Sequence, residues 1–526
     1  MNVPLVLTDF LDRAVDLYGE KPAIISDECV LTYKQLNGRV NQLSRGLRSL
    51  GVKKGDKIAY LAPNTLEMLE GFYGAYQIGG VMTPLNTRLK PADYHFILEH
   101  SESKVLFVDE ELYPLVSEIL PNCSHLERVI IHGNDNGMYT AYENWLSSFS
   151  KEAFEREAVE ESDIASLLYT SGTTGNPKGV LLSHRANYLH ALSAMHHLRV
   201  SDQDVLLHVL PMFHVNGWGS PFYYTANGAT QVMLRKTDPK LILDKIKNYG
   251  VTVLHMAPTV LNMVLEAYEK ERPVISQDVR VVIAGSAPPP AFVKKVEENL
   301  GWKFIQVYGM TEISPLITTS ELRSTDLSRP KEEVYRLKAK AGYAMIGSKV
   351  KVVDELGVEV HHDGKAIGEI VTRTNGVMEG YYKNPEATNA AIRDGWLYTG
   401  DMAVVDESGN IEIVDRKKDV IISGGENISS IEVEGVLYEH PSILEAAVVS
   451  IPHEKWGEVP HAVVVLKEDE TLTAEELMAF CREKLAHFKA PKSVSFIEEL
   501  PKTASGKIQK VVIRKSFWKN HNRMVN

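Results

Sequence analysis

Ten residues from Thr170 to Gly179, Thr-Ser-Gly-Thr-Thr-Gly-Asn-Pro-Lys-Gly, hold three glycines, four hydroxyl side chains and one ammonium group, Lys178. Free backbone N–H groups, hydroxyls and one cation suit a polyphosphate. Glycine lets the backbone approach phosphate oxygens with no Cβ in the way. The stretch departs from the common nucleotide loop, in which G-x-x-x-x-G-K-[ST] leads into a helix. Here Asn176-Pro177 separates Gly175 from Lys178, and the apolar run Val180-Leu181-Leu182 follows. Further along, Tyr308-Gly309-Met310-Thr311-Glu312 offers an aromatic face for a base, a hydroxyl for a phosphate and a hard carboxylate for Mg²⁺. Asp401, in Tyr398-Thr399-Gly400-Asp401, is an acceptor suited to a pair of sugar hydroxyls. Taken singly, each has a plainer reading: a flexible linker, a capped helix start, a turn.

These groups need elements to hold them. Ala165 to Tyr169 reads as a short buried strand before the loop, and Ser183 can cap a helix from His184 to His197. Between 250 and 312 strand, loop and helix alternate. Strands are expected at Val251–Met256, Val279–Ala284 and Lys303–Val307, with helices at Thr259–Tyr268 and Ala291–Leu300. That rhythm predicts a parallel sheet of βαβ units. Ligands sit at the carboxyl ends of such strands, so the loops at 257, 285 and 308 should open onto one crevice. From Gly342 to Asp415 short strands and turns predict a small β unit. The tail then alternates helix and strand in a compact α+β pattern. The expected architecture is α/β. A large N-terminal domain, residues 1–415, combines βαβ-type sheets with the small β unit. The charged turn 416–418 links it to a small mobile α+β C-terminal domain, 419–526.

A chain of 526 residues, 44% hydrophobic and 24% charged, has the composition of a globular protein with several structural units. Its net charge of −12 argues against general nucleic-acid binding. Local lysines can still dominate the field of a cleft. Three cysteines with no C-x-x-C pair fit a reducing cytosol. Charges in the first apolar stretch speak against a signal peptide, and no 18-residue apolar run suggests a membrane span. A cytoplasmic location is expected, with no peroxisomal S-K-L ending.

Residues 170–179 match throughout the phosphate loop [ST]-[ST]-G-[ST]-T-G-x-P-K-G of the adenylate-forming enzymes, and Y-G-x-T-E, the Gly400-Asp401 turn, Arg416 and Pro501-Lys502-Thr503-Ala504-Ser505-Gly506-Lys507 follow in the family's order. The chain resembles that superfamily from about residue 32 to 510. The resemblance implies a cofactor set of ATP, Mg²⁺ and coenzyme A. It implies that Thr170, Ser171, Gly172, Thr173, Thr174, Gly175 and Lys178 bind the nucleotide's phosphates. Gly285, Ser286, Ala287, Tyr308 and Gly309 would surround the adenine, and Asp401 with Arg416 the ribose. Thr170 and Glu312 would hold the metal. Lys507, Lys178, Thr311 and Glu312 would be catalytic, with Lys507 meeting negative charge that builds between the attacking carboxylate and the α-phosphate. Lys418 would be the pivot, and Gly424, Gly425 and Glu426 would border the pantetheine channel. His214, Trp218 and Gly309 would face the acyl group. The string Pro211-Met212-Phe213-His214-Val215-Asn216-Gly217-Trp218 looks most like bacterial medium- and long-chain fatty acyl-CoA synthetases. The expected reaction is ATP-dependent ligation of a small carboxylic acid to CoA through an acyl-adenylate. The alternatives are an aryl- or short-chain acid ligase, or an adenylating enzyme loading a carrier protein in trans. A non-catalytic ATP-binding module is disfavoured by the joint presence of Lys178, Glu312, Asp401, Arg416 and Lys507. A homodimer is left open.

Overall fold

The computed structural model describes residues 3–133, 140–170, 177–285, 288–424, 426–502 and 508–518. Among them four sheets form. The first has nine strands. Lys303–Gly309, Arg280–Ile283, Val253–Met256, Val205–Leu207, Thr230–Val232 and Pro22–Ile25 run parallel, and antiparallel strands flank both ends. The expected βαβ rhythm is therefore present. The helix expected over Ala291–Leu300 divides into an α-helix, Pro290–Lys295, and a wider π turn, Val296–Leu300.

The second sheet has eight strands, with Val81–Pro84, Lys57–Leu61, Ser103–Asp109 and Arg128–His132 parallel. At its other end the strands Ile164–Thr170 and Lys178–Ser183 form an antiparallel hairpin, with Thr170 opposite Lys178. Ser183 caps the helix His184–His197 as its sequence suggests, its side chain accepting from the Ala186 N–H. Gly380–Tyr381 adds the edge strand, with Tyr381 opposite Val180.

A shared core of buried side chains joins these two sheets, and every residue of the helix Leu66–Tyr76 except Glu67 is buried in it. Two glycines make that burial geometrically feasible. A Cβ on Gly71 would fall 2.4 Å from the Tyr60 ring, and one on Gly74 would fall 2.5 Å from Leu43. The one carboxylate on this helix's inner face, Glu70, is held by Arg39 and by the Tyr142 hydroxyl at 2.8 Å.

The third sheet is the small β unit, with Ser348–Val353, Gly368–Thr374, Trp396–Val405 and Ile411–Arg416 antiparallel. The fourth belongs to the α+β tail, where Gly457–Leu466 pairs with Ile443–His453 and, in parallel, with Ser493–Phe496. Its core is separate, centred on Ile421, Val433, Val448 and Leu477.

Candidate active site

The candidate residues come from three of the sheets and meet at strand ends. Lys178 begins the strand that leaves the glycine-rich loop, and Tyr381 lies on the neighbouring edge strand. The Lys178 ammonium sits 5.0 Å from the centre of the Tyr381 ring. That spacing is within cation–π range. The Tyr381 hydroxyl donates to Glu312 Oε1 at 2.8 Å. Glu312 follows the strand Lys303–Gly309 in a short turn, Thr311–Ile313, which the Met378 N–H fastens by donating to the Glu312 carbonyl at 2.9 Å. One tyrosine thus ties the phosphate hairpin to the carboxylate.

The third sheet enters beside them. Asp401 and Arg416 are strand partners, with the guanidinium 3.4 Å from the carboxylate. The Tyr308 hydroxyl donates to the other Asp401 oxygen at 2.8 Å. Tyr308 is 7% exposed, so its hydroxyl is committed to Asp401 rather than to water. Glu369 steadies the turn by accepting from the Gly400 N–H, while the Lys417 ammonium lies 3.1 Å from it.

Burial pushes the Glu312 carboxyl above its ordinary value, and the Tyr381 hydroxyl, Arg416 and Lys178 pull it back. Lys418, beside the cluster, has its ammonium pulled down by burial first and by Arg416 next. The site therefore holds two buried carboxylates, Glu312 and Asp401, beside two cations, Lys178 and Arg416. Among the described residues no three His, Cys, Asp or Glu side chains gather as a metal cage. The residues still fit Mg²⁺, which usually takes one or two carboxylates and completes its shell with substrate phosphates and water. Glu312 offers an oxygen that Tyr381 does not occupy, and Thr170, opposite Lys178, adds a hydroxyl.

The contacts above do not cover every residue singled out in the sequence. Ser171, Gly172, Thr173, Thr174, Gly175, Ser286, Ala287, Gly425 and Lys507 lie outside the described residues. Gly285 is exposed in a left-handed conformation with φ +103. His214 is half-buried and opens a turn in which Val215, Asn216, Gly217, Trp218 and Gly219 all have positive φ. The left-handed conformation costs a non-glycine residue about 1–2 kcal/mol. The Asn216 amide, hydrogen-bonded to Ser166 at 3.1 Å, helps to hold it. Trp218 is 5% exposed and stacks on His255, so it is part of a packed wall. Gly424 is in the tail, where its N–H donates to the Trp456 carbonyl at 2.9 Å, and Glu426 is exposed on the next strand. The described contacts do not bring either to Glu312. Lys502, at the start of the segment that carries Lys507, reaches the N-terminal unit. It lines a cavity of about 190 Å³ with Arg88, Pro211, Thr237, Met256 and Thr259.

Tyr381 is the functional residue that sequence reasoning missed. Its Gly-Tyr-Tyr setting carries no spacing signal, and its partner Glu312 is 69 residues away.

Two carboxylates and two cations, gathered where the 164–183 hairpin, the end of the strand Lys303–Gly309 and the small β unit meet, fit the handling of a nucleotide by an α/β protein. The chain belongs to the AMP-binding enzyme family, whose model matches residues 11–382, with the AMP-binding enzyme C-terminal domain matching 432–507. It is 39% identical to a 2-methylpropanoate–CoA ligase of Humulus lupulus, over 97% of this chain and 95% of that one. It is also 39% identical to a peroxisomal benzoate–CoA ligase of Arabidopsis thaliana, over 98% and 93%. The crystal structure of an anthranilate CoA ligase in complex with anthranoyl-AMP superposes with a TM-score of 0.90 at 27% identity, covering 98% of each chain. The protein is an acid–CoA ligase of the AMP-forming type, and adenylate-forming CoA ligases use ATP, Mg²⁺ and CoA.

Proposed function

We propose that the cluster around Glu312 converts a short-chain, branched or aromatic carboxylic acid to its adenylate, and that the same site then passes the acyl group to CoA. The convergence of Lys178, Glu312, Asp401 and Arg416 through Tyr381 and Tyr308 carries this reading. In the first step a carboxylate oxygen attacks the α-phosphorus and pyrophosphate leaves. In the second the CoA thiol loses its proton, attacks the acyl carbon and expels AMP. Neither step needs a protein nucleophile, because the mixed anhydride is itself the activated species.

Asp401 accepts from the ribose hydroxyls, with Arg416 and Tyr308 fixing its orientation. Lys178, braced on the Tyr381 ring, faces the phosphates. Glu312 and the Thr170 hydroxyl would hold Mg²⁺, which would neutralise phosphate charge there. Lys507 supplies a cation where negative charge gathers in the first step. That lysine is needed only once, and CoA must approach afterwards. The tail therefore turns about residues 416–418, and Gly424, Gly425 and Glu426 reach the site in the second step.

The relatives' acids, 2-methylpropanoate, benzoate and anthranilate, support the short and aromatic choice over a medium- or long-chain fatty acid. So does the packing behind His214. Trp218, Tyr223, Tyr224 and His255 fill that volume, with both tyrosine hydroxyls within hydrogen-bond range of the imidazole. Three cysteines without a disulfide keep the cytosol as the proposed compartment. Among the described residues no helix is long and apolar enough to cross a membrane.

An acid panel from acetate to palmitate, with benzoate and cinnamate, tests the reading through CoA-dependent AMP release. Highest turnover on an acid of the 2-methylpropanoate or benzoate kind is expected. An optimum at palmitate would overturn the substrate choice, and release of ADP in place of AMP would overturn the mechanism.

A further inference from the structure

The phosphate hairpin has two arms, and each is tethered at its base. On the outgoing arm the Lys178 ammonium faces the Tyr381 ring, and the next residue, Gly179, accepts at its carbonyl from the Tyr382 N–H at 2.7 Å. On the incoming arm Tyr169 stands opposite Gly179 and directly before Thr170. Its ring lies against that glycine, where a Cβ would fall 3.2 Å from it. Beyond the hairpin the Tyr169 hydroxyl is 2.7 Å from Nδ1 of His100, in the last turn of the helix Pro91–Ser101.

The same imidazole meets the tether of the other arm. The Tyr382 ring packs edge-on against it, with centroids 5.5 Å apart. Phe96, one turn earlier on the helix, stacks on the imidazole at 5.2 Å and fixes its plane. The Lys383 ammonium donates to the His100 carbonyl at 3.1 Å and to Glu102 at 2.8 Å, which fastens the helix end to the segment carrying Tyr382. Lys57 adds a second cation, 5.2 Å from the centre of the Tyr382 ring. Burial, and Lys383 after it, lower the His100 pKa, so the ring is neutral at pH 7. A neutral imidazole keeps one donor and one acceptor, and a tyrosine hydroxyl pairs with either. His100 thus lies between the tethers of the two arms from which Thr170 and Lys178 are presented. Groups that hold a substrate have to be fixed to within about 0.5 Å, and the side chains behind them supply that rigidity.

We propose that His100 is a positioning residue for the ATP phosphates. Through the Tyr169 hydroxyl and the Tyr382 ring it holds the two arms at one spacing, and so sets where Thr170 and Lys178 meet the phosphates. It acts through these neighbours and not by contact with the nucleotide. The inference rests on the ligase reading above and adds a residue to its ATP site.

The test compares MgATP with adenosine, which has the base and the ribose but no phosphate. His100→Leu should raise KM for MgATP in acid-dependent AMP release by roughly three- to tenfold, as loss of one neutral hydrogen bond implies. The Ki of adenosine as a competitor of ATP should not change, because the hairpin meets only phosphates. Tyr169→Phe, which removes a single oxygen, should raise the same KM. The double variant should match His100→Leu alone, since both changes remove one interaction. His100→Gln, which keeps a donor and an acceptor, should recover part of the wild-type value. A thermal melt checks the fold. If His100→Leu does not fold, Tyr169→Phe and His100→Gln carry the comparison. An unchanged KM for MgATP in Tyr169→Phe and His100→Leu overturns the inference. So does a matching rise in the adenosine Ki, which would mean a disturbance of the whole site, and so does a double variant in which the two losses multiply. Those results leave acid-dependent AMP release by the wild type intact. Its absence for every acid would instead remove the ligase reading, and this inference with it.

Discussion

Tyr381 joins a cation and an anion that the sequence places far apart. Its ring supports Lys178 and its hydroxyl holds Glu312, while its own N–H donates to Thr388 Oγ1 at 2.9 Å. A hydrogen bond to a charged group is worth about 1.5–3 kcal/mol. Tyr381→Phe should therefore slow acyl-adenylate formation by roughly 10- to 100-fold and raise the Mg²⁺ concentration needed for half-maximal rate, with the melting temperature little changed. Mg²⁺ titration of pyrophosphate release checks this. An unchanged Mg²⁺ requirement would mean that Glu312 does not depend on the tyrosine. The motif residues were legible because a cation, a hydroxyl and a carboxylate advertise their chemistry by type. Tyr381 was not, since a tyrosine near a turn is usually packing. The stacking of Trp218 on His255 was equally hidden, because the two come from different elements and meet only in the folded core.

At the scale of elements, the link between the small β unit and the tail is held from both sides. The Lys417 N–H donates to the Gly400 carbonyl at 2.9 Å, on the N-terminal side. Asp415 accepts from both the N–H and the hydroxyl of Ser430, each at 2.6 Å, at the start of the tail's helix Ser430–Tyr438. The Lys510 ammonium donates to Ser430 Oγ at 2.6 Å and pairs with Glu434 at 2.7 Å. Burial opposes the Lys510 charge, but Glu434 and Asp415 outweigh it and raise its pKa. Turning the tail about Lys418 would break the Asp415 contacts, so they favour the arrangement seen here. Lys418→Pro fixes φ at the proposed pivot. It should leave adenylation within about threefold and slow thioester formation more than about tenfold, as a hinge that gates only one step requires. Separate assays of the two half-reactions check it, and equal slowing of both would move the pivot elsewhere. The alternation of helix and strand beyond this link was read from apolar period and turn residues. The Asp415–Ser430–Lys510 cluster was not, because spacing along the chain carries no record of a three-way meeting.

At the scale of the whole molecule, the core buries an unusual load of neutral imidazole. Burial takes His132, His190 and His255 down to about 3 and His208 to about 4. Their unfolded pKa is about 6.5, so between that value and 3–4 the unfolded chain binds more protons than the folded one. Stability then falls as pH falls through that window. Each histidine contributes roughly 1.4 kcal/mol per pH unit well below 6.5. Thermal melts from pH 7.5 to 5 should show a steep drop in melting temperature beginning near pH 6.5. A flat profile down to pH 5 would mean that these imidazoles find partners or water. The two large sheets that carry His132 and His255 also carry Lys178 and lead into Glu312, so stability and chemistry share a scaffold. The central claim is that this site forms an acyl-adenylate before CoA takes part. Its most direct measurement is acid-dependent exchange of labelled pyrophosphate into ATP with CoA left out, for the wild type and Lys507→Ala. The wild type should exchange, and the variant should lose roughly 10²-fold in that exchange while still making thioester from supplied acyl-AMP and CoA. Exchange that requires CoA, or none with any acid that the wild type ligates, would contradict it.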